Sequence, residues 1–361
     1  MKILITGGAG FLGQRLARKL LEQGRLSLDG ERAPITQIDL LDVTRTDAIN
    51  DTRVRSIEGD VADPACLQAL IGADTAVIFH LAAIVSGQAE SDFDLGMRIN
   101  LDASRALLEA CRQRGHRPRV VFTSSVAVYG GALPETVRDD TALNPQSSYG
   151  TQKAIAELLL ADYTRRGFVD GRALRLPTIS VRPGRPNAAA SSFASGIIRE
   201  PLNGEPATCP VAADTRLWLL SPRRAVQALI AGCELDAGAV ADRRPINLPG
   251  VSVTAAEMVR ALREIAGGAG GGRGGQHGVW FDGDDVGVGV GGADDAGRVV
   301  ADHPGRGEAV AARRTEVGRL VGADAETLPL DDRVAGRLVD VQRAVAAVID
   351  GRAAGHDVAA G

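Results

Sequence analysis

Residues 2–13 read KILITGGAGFLG, and this stretch decides the fold. KILIT predicts a short buried strand, and the spacing of the leucines at 16, 20 and 21 predicts a helix after the glycines. In this context a glycine-rich turn lets the backbone approach a pyrophosphate, which then lies on the free N–H groups of the helix N-terminus. The pattern predicts a dinucleotide-binding loop rather than a merely structural glycine turn. Its expected cofactor contacts are Gly7, Gly10, Phe11, Leu12 and Gly13.

The next predicted strand, residues 35–39, ends in an acidic residue, Asp39. A carboxylate at the end of this strand accepts hydrogen bonds from the adenosine ribose hydroxyls and repels a 2′-phosphate. Asp39 therefore favours NAD over NADP as the cofactor. The alternative interpretation is an exposed aspartate at a strand end with no ligand.

Strands and helices continue to alternate along the chain. Apolar spacing predicts further strands at 75–79 and 119–122 and helices at 101–114 and 149–165. Asp63 before Pro64 is typical of one more helix start. Such alternation indicates βαβ units. We expect an α/β fold, a Rossmann-type doubly wound parallel sheet with a smaller C-terminal substrate domain.

The predicted domains follow changes in this pattern. We expect residues 1–175 to form the NAD-binding Rossmann domain, together with a return segment near 215–245. Residues 176–265 are expected to form the substrate domain. In this region helices are predicted at 217–230 and 251–265, the second with a capping box of Thr254 and Glu257.

Residues 266–361 depart from this organisation. Glycine is dense in 267–307, and neither helical nor strand periodicity is found there, so we predict a flexible, atypical segment. Its Gly, Ala, Val, Asp and Arg content is typical of GC-rich DNA read in a shifted frame, which is a hypothesis that re-reading the gene would test.

The composition excludes several classes of function. Lys and Arg number 41 against 45 for Asp and Glu, a net charge of −4 that argues against a nucleic-acid partner. No apolar run reaches the ~18 residues of a membrane-spanning helix, so we expect no membrane contact. The four cysteines are scattered and the five histidines do not cluster. We therefore expect a cytoplasmic protein with free thiols and no metal site.

A second constellation comprises Ser125, Tyr149 and Lys153. Ser125 follows a predicted strand, where parallel sheets bind ligands, and Tyr149 and Lys153 share a helix face because they are four residues apart. A phenol with a pKa near ~10 is a poor base, so we expect a nearby ammonium and a positively charged nicotinamide to favour the phenolate. Ser125 would hydrogen-bond the reacting hydroxyl. The alternative is a packed tyrosine beside a solvated lysine.

Five motifs resemble those of the extended short-chain dehydrogenase/reductases: TGGAGFLG (6–13), GDVAD (59–63), FHLAA (79–83), TSSVAVYG (123–130) and YGTQK (149–153). The resemblance covers roughly residues 1–265. It implies NAD as cofactor, with Ser125, Tyr149 and Lys153 catalytic and the last two also contacting the cofactor. It further implies these cofactor contacts: Asp60, Val61, Leu81, Ala82, Ala83, Asn100, Pro177 and Ile179. A homodimer through helices 101–114 and 150–165 is also implied.

Residues 82–97 and 172–202 resemble a branch of this family that oxidises the C2 hydroxyl of a four-carbon sugar acid, D-erythronate, to 2-oxo-D-erythronate with NAD. Such a substrate needs a cation for its carboxylate, for which the candidates are Arg185 and Arg216. The neutral partners expected beside Ser125 are Ser86, Asn187 and Ser191. Two alternatives stay open: a nucleotide-sugar epimerase or dehydratase on the same scaffold, for which Arg216 matches a diphosphate-binding position, and a non-catalytic NAD-binding regulator.

Overall fold

The computed structural model describes residues 1–240, 245–267, 277–281 and 288–290. Its strands are β1 (Lys2–Thr6), β2 (Arg25–Leu28), β3 (Glu31–Pro34), β4 (Gln37–Asp42), β5 (Val54–Glu58), β6 (Thr75–His80), β7 (Arg119–Ser125), β8 (Asp170–Leu176), β9 (Thr178–Ile179), β10 (Ala207–Cys209), β11 (Arg216–Leu220), β12 (Ile246–Asn247), β13 (Val251–Thr254), β14 (His277–Phe281) and β15 (Val288–Val290). Its α-helices are α1 (Phe11–Gln23), α2 (Pro64–Leu70), α3 (Ser86–Ser91), α4 (Phe93–Gly96), α5 (Ala103–Arg114), α6 (Ser148–Arg165), α7 (Phe193–Leu202), α8 (Pro222–Glu234) and α9 (Ala255–Gly267). A π-helical turn covers Met97–Asp102, and 3₁₀ turns cover Val126–Val128 and Ala237–Val240.

Seven parallel strands form the central sheet, in the order β12-β8-β7-β6-β1-β4-β5. From β1 the chain proceeds outward through β4 to β5, then returns to β6 on the other side of β1 and proceeds outward again. The order therefore reverses between β1 and β6. In doubly wound sheets a ligand binds at the carboxyl ends of the strands beside such a switch point. The predicted Rossmann-type α/β fold is confirmed.

Two apolar clusters hold helices on the two faces of this sheet. Leu16 and Leu20 of α1 pack with Leu229 of α8 against one face. Leu107 of α5 and Leu160 of α6 belong to the cluster on the other face. The predicted period of α1 is confirmed, because its buried side chains recur at helical spacing. Asp63 caps α2 by accepting a hydrogen bond from the amide of Ala65 at 2.9 Å, as predicted.

Residues 25–34 form a β-hairpin. Asp29 and Gly30 both have positive φ, 51° and 82°, which is the geometry that an Asp-Gly hairpin turn requires. The amide of Ser27 also donates to Glu234 at the end of α8, at 3.0 Å. This insertion moves β4 farther along the sequence than the ordinary spacing from the glycine loop.

A charged cluster lies at the amino ends of β7 and β8. We define it by Arg119, Asp170, Arg172 and Asp29. Arg119 and Arg172 are almost fully buried, and both form ion pairs with Asp170. Arg119 also binds the hairpin residue Asp29 at 2.8 Å. The guanidinium groups further donate to the carbonyl oxygens of Cys233 and Leu235, at 2.8 and 2.9 Å, so the cluster fastens the hairpin and the end of α8 to the sheet.

Two predicted helices begin later than expected. Within the helix predicted at 217–230, Leu219 and Leu220 instead lie in β11 and pair with β9. Helix α8 begins only after its cap at Ser221. In the 251–265 prediction, the first four residues are strand β13. The capping box is confirmed, because Glu257 accepts a hydrogen bond from the amide of Thr254 at 2.8 Å and Thr254 Oγ1 accepts one from the amide of Glu257 at 3.1 Å. Strand pairing explains both differences, since it is not visible in helical spacing.

The chain divides into two compact units. The first comprises Met1–Ser180, Asn187–Ser192 and Trp218–Val251. The second comprises Val181–Pro186, Phe193–Leu217 and the described residues from Ser252 onward. In the second unit β10, β14 and β15 form a three-stranded sheet. The assignment of cofactor and substrate functions to the predicted domains stays a prediction.

Strands β14 and β15 fall in the stretch 267–307, for which no regular element was predicted. Backbone pairing with β10 accounts for this difference, because β14 pairs in parallel with β10 over only three residues. The rest of the predicted atypical segment, and with it the shifted-frame hypothesis, lies outside the described residues.

Candidate active site

The glycine loop connects β1 to α1 and leaves room for backbone rather than side chains. Gly7 has a φ of +70°, and a Cβ added there would lie 2.9 Å from the amide nitrogen of Ala82. A Cβ at Gly13 would overlap the carbonyl oxygen of Gly7. Helix α1 begins after Gly10, which supplies no side-chain cap. Its first N–H groups therefore have no capping side chain, and the loop fits an anion such as a pyrophosphate.

Asp39 does not lie at the end of a strand, so the prediction of a strand end at this residue is wrong. The strand runs on to Asp42, so Asp39 is in its middle, fully buried beside Leu4 of β1. Its carboxylate accepts two hydrogen bonds from Arg55, both 2.8 Å long. Strand β4 ends three residues later than the strand predicted from the apolar run 35–39.

Asp42 occupies the position that was predicted for Asp39. It is the last residue of β4, and its Oδ2 accepts a hydrogen bond from the amide of Ala9, in the glycine loop, at 3.1 Å. A carboxylate is thus placed beside the loop at the carboxyl end of the second parallel strand. The sequence signal was available, since LLD at 40–42 is also an apolar run ending in an acid.

Of the other predicted cofactor contacts, Asp60 and Val61 follow β5, and Leu81, Ala82 and Ala83 follow β6. Asp60 accepts from the amide of Ala62 at 2.8 Å and from Arg98 at 2.5 Å. Burial, the largest single influence, raises the pKa of Asp60, but the hydrogen bonds from Arg98 and Ala62 together with the charge of Arg98 lower the pKa overall. Val61 is buried beside it.

The segment of Leu81, Ala82 and Ala83 begins where β6 ends, directly beside the glycine loop. The amide of Leu81 donates to the carbonyl oxygen of Thr6 at 3.1 Å, and that of Ala82 to Thr6 Oγ1 at 3.3 Å. Thr6 is the last residue of β1. Thr6 therefore fixes this predicted cofactor segment through both its backbone carbonyl and its side-chain hydroxyl.

A chain of hydrogen bonds passes through the buried ring of His80. Its Nδ1 lies 2.7 Å from Thr6 Oγ1, and its Nε2 lies 3.0 Å from Ser104 Oγ. Because the Ser104 hydroxyl donates to the carbonyl oxygen of Asn100 at 2.8 Å, it must accept from Nε2–H, which assigns the tautomer. Burial, reinforced by the charge of Lys153, lowers the pKa of His80 to about 3. The ring is therefore a neutral connector.

Asn100, predicted as a structural or ribose-contacting residue, is fully buried in the π-helical turn. Its Oδ1 accepts from the amide of Ile84 at 2.8 Å, and its Nδ2 donates to Gln152 Oε1 at 2.7 Å. Gln152 immediately precedes Lys153. In the described residues Asn100 thus connects the loop after β6 to the helix of the predicted catalytic pair, which is a structural role.

The predicted catalytic residues Ser125, Tyr149 and Lys153 come together in the first unit. Ser125 ends β7 and its Oγ accepts from the amide of Ala127 at 3.1 Å. Tyr149 and Lys153 lie on α6, and the Lys153 Nζ is 5.6 Å from the centre of the Tyr149 ring. Nζ also donates to the carbonyl oxygen of Thr123 at 2.9 Å. The side chains thus meet at the carboxyl end of the central sheet.

Electrostatics of this trio differ from the sequence expectation in one respect. Burial raises the pKa of Tyr149 above its ordinary value, and a hydrogen bond with Ser125 opposes that rise. Burial lowers the pKa of Lys153 to about 8, while the charge of Glu157 opposes that fall. The protein alone therefore keeps the phenol protonated, and the predicted lowering of its pKa needs a further positive charge in the site.

Gly150 and Gln152 are two residues of this site that sequence reasoning missed. A Cβ at Gly150 would overlap the carbonyl oxygen of Ala127, so glycine lets α6 approach the turn after Ser125. Gln152 receives the hydrogen bond from Asn100. Both lie inside the motif Y-G-T-Q-K, but only the Tyr and Lys spacing drew attention.

The predicted substrate residues divide between the units. Ser86, Asn187 and Ser191 belong to the first unit, whereas Arg185 and Arg216 belong to the second and are exposed. Ser86 Oγ accepts from the amide of Ala190 at 2.9 Å, which brings Ser86 to the segment with Asn187 and Ser191.

The nicotinamide-contacting residues were predicted just beyond β8. Pro177 is buried, and Ile179 packs against the core cluster of α1 and α8. Among the residues that the structure describes, no group of His, Cys, Asp or Glu is arranged to hold a metal ion, and no helix has the length and apolarity to cross a membrane.

With this fold and site in view, the comparison with known proteins is direct. The sequence matches the NAD dependent epimerase/dehydratase family over residues 3–219, and the chain belongs to this family.

Individual proteins similar to this chain have more specific names than the family. A D-erythronate dehydrogenase from Cupriavidus necator is 68% identical over 269 residues, which cover 74% of this chain and 83% of that protein. One from Haemophilus influenzae is 51% identical over 268 residues, with the same shares covered, 74% and 83%. Among solved structures, a nucleoside-diphosphate-sugar epimerase from Agrobacterium tumefaciens is 49% identical with a TM-score of 0.69, covering 74% of this chain and 79% of that one.

Proposed function

We propose that this protein is an NAD-dependent dehydrogenase that oxidises the C2 hydroxyl of a small sugar acid, D-erythronate, to 2-oxo-D-erythronate. The observation that carries the proposal is the meeting of Ser125, Tyr149 and Lys153 beside a glycine loop, in a chain 68% identical to a D-erythronate dehydrogenase. A proton-accepting phenol, a cation and a hydroxyl donor are the groups that oxidation of an alcohol needs.

NAD fits the residues present. Glycines line a loop that added Cβ atoms would fill, and the N-terminus of α1 has no side-chain cap. We assign the ribose-binding carboxylate to Asp42, and keep the adenine side at Asp60 and Val61. When bound, NAD supplies the acceptor for the hydride that leaves the substrate carbon, and its positive ring supplies charge near Tyr149.

In the proposed mechanism Tyr149 is the base. Its phenolate oxygen takes the proton of the C2 hydroxyl, while Ser125 donates a hydrogen bond that holds the substrate oxygen in place. Lys153 stabilises the phenolate and stays fixed by the carbonyl oxygen of Thr123, 2.9 Å from Nζ. Because burial alone raises the pKa of Tyr149, the base forms only when cofactor and substrate have assembled around it.

The substrate carboxylate requires a cation, and the candidates from the sequence are Arg185 and Arg216. Both are exposed in the described chain. Replacing each by Met should identify the partner, since loss of a charge-assisted pair raises KM about tenfold or more.

A nucleotide-sugar epimerase or dehydratase is the second candidate. The observation in its favour is the 49% identity to a structure described as a nucleoside-diphosphate-sugar epimerase. Such an enzyme regenerates its NAD within each cycle, so it consumes none. A non-catalytic regulator would need no tyrosine base.

One assay separates these functions. The purified chain is mixed with NAD and either D-erythronate or UDP-sugars, and NADH absorbance is followed. Steady NADH formation with D-erythronate alone supports the dehydrogenase. No NADH with any sugar acid, together with product formation from a UDP-sugar, would establish the epimerase instead.

We further propose a homodimer in the cytoplasm. Leu158 on α6 is 67% exposed and Ile155 on the same helix 37%, which leaves apolar side chains facing away from the sheet. Helices 101–114 and 150–165 of two copies would cover such residues. The four cysteines form no disulfide, as expected in a reducing compartment.

A further inference from the structure

A close contact holds the segment 187–192 against the start of α3. The amide of Ala190 donates to Ser86 Oγ at 2.9 Å. A Cβ added at Gly87 would overlap the carbonyl oxygen of Ala188, so the two backbones touch without a side chain between them. Segment 187–192 carries Asn187 and Ser191, and it groups with the first unit although the residues on both sides of it group with the second.

Residues 84–90, which we call the 84–90 bridge, are tied to the catalytic helix at one end through Glu90. Its Oε2 accepts a hydrogen bond from the amide of Ser148 at 2.9 Å. Ser148 is the first residue of α6 and directly precedes Tyr149. The carboxylate therefore also lies at the positive end of that helix, where a negative charge is favourable.

The other end of the 84–90 bridge is tied to the same helix through Asn100. Asn100 accepts from the amide of Ile84 at 2.8 Å and donates to the side chain of Gln152 at 2.7 Å. Gln152 directly precedes Lys153. The residues before both members of the catalytic pair are thus connected to the stretch that holds segment 187–192.

We propose that Ser86 and Gly87 are positioning residues, which hold segment 187–192 at a fixed distance from the Tyr149 hydroxyl so that its polar side chains receive a small polyhydroxylated acid. The choice of substrate rests on the proposed function, whereas the contact itself does not. Ser86 acts through the Ala190 amide, and Gly87 acts by having no side chain. Neither residue takes part in proton transfer.

Kinetics of four variants test this role. Ser86→Ala removes the acceptor for Ala190, and Gly87→Ala pushes the Ala188 carbonyl outward. Each should raise KM for D-erythronate about fivefold, the effect of one ordinary hydrogen bond, and leave kcat and NAD affinity within about twofold. Ser86→Thr keeps the hydroxyl and should restore most of the loss. Gln88→Ala, on the exposed side of the same helix, is the matched control.

A double-mutant cycle separates positioning from direct substrate contact. If both residues act by placing the same segment, the Ser86→Ala/Gly87→Ala double variant should have nearly the KM of the worse single variant. If Ser86 instead binds the substrate itself, the two effects multiply, and that result would overturn the proposal. Should Gly87→Ala fail to fold, Ala190→Pro removes the donor of the same hydrogen bond and takes its place in the cycle.

Hydrogen exchange gives a readout that needs no turnover. Peptides covering 187–192 should exchange faster in Ser86→Ala and Gly87→Ala than in the parent chain, and at the parent rate in Gln88→Ala. Unchanged exchange in both variants contradicts the inference even if the enzyme is active. Absence of NADH formation by the parent chain with D-erythronate contradicts the proposed function instead, and the exchange result still decides the positioning role.

Discussion

The ammonium of Lys153 donates a hydrogen bond to the carbonyl oxygen of Thr123 at 2.9 Å, in a position where only 1% of the lysine is exposed. The cation lies 4.7 Å from the centre of the Phe122 ring and 5.6 Å from that of Tyr149. Such burial disfavours the charged form, which is why the pKa of Lys153 falls to about 8. A residue that we propose to be catalytic is thereby costly to the folded state at neutral pH.

The first prediction concerns this cost. The folded pKa of about 8 is below the unfolded value of about 10.5. Between these two pH values the unfolded chain holds a proton that the folded chain has lost, so the free energy of unfolding increases with pH. From pH 7 to pH 9 the free energy of unfolding should rise by about 1 kcal/mol more in the parent chain than in Lys153→Met. Urea unfolding at both pH values measures this; parallel pH dependences would show that the lysine is not desolvated.

Tyr149→Phe should abolish turnover while keeping the cofactor site. Removing a general base lowers kcat by about 10² to 10⁴. NAD affinity, measured by calorimetry, should change by less than about threefold, since the ring itself remains. Turnover within about tenfold of the parent would exclude Tyr149 as the base.

Asp42→Ala should weaken NAD binding and improve NADP binding. The carboxylate lies beside the glycine loop and would repel a 2′-phosphate, so its loss should shift the NAD/NADP affinity ratio by about tenfold or more.

Asp39→Asn is the matched control for that experiment. Asp39 is fully buried and bound by Arg55, so the substitution should lower the free energy of unfolding by about 2 kcal/mol and leave the cofactor ratio unchanged. A shift of the ratio at Asp39 and none at Asp42 would reverse our assignment.

His80 should make the protein sensitive to acid. Its folded pKa of about 3 is below the ordinary 6.5, so the unfolded chain binds the extra proton and stability falls as pH drops from about 6.5 toward 3. His80 should therefore lower the free energy of unfolding by about 1.4 kcal/mol for each pH unit in this range, and this contribution should be absent in His80→Gln. Urea unfolding at pH 7 and pH 5 compares the parent chain with His80→Gln. An equal change in the free energy of unfolding between the two pH values would contradict a neutral buried ring.

Leu158→Glu should dissociate the proposed homodimer. A charge on the exposed apolar face of α6 opposes burial between two copies. Sedimentation velocity should show the parent chain as a dimer and the variant as a folded monomer. Lys19→Glu, at an exposed position of α1 outside both proposed interface helices, is the charge control and should leave the dimer intact.

Sequence reasoning succeeded where the signal was local. The β1–glycine–α1 pattern, the cap at Asp63 and the Thr254–Glu257 box each depend on residues close in sequence, and each is confirmed. The four-residue spacing of Tyr149 and Lys153 likewise placed them on one helix.

It failed where pairing between distant segments decides the structure. Two apolar runs, ending at Asp39 and at Asp42, fit a strand end equally well, and only the pairing of Asp42 with Glu58 of β5 shows where β4 ends. The roles of Gln152 and Gly87 depend on partners 52 residues away and on the backbone near 188, which no local pattern reports.

The charged cluster around Arg119 has a consequence for how this molecule tolerates change. Strand β7 begins at Arg119, inside the cluster, and ends at Ser125, in the site, roughly 20 Å away. One end of the sheet is therefore locked by buried ion pairs, and the other carries Ser125 at a strand end and the loops that follow the strands. A scaffold anchored at its far end can acquire a new substrate by altering loops, without having to find a new way to stay folded.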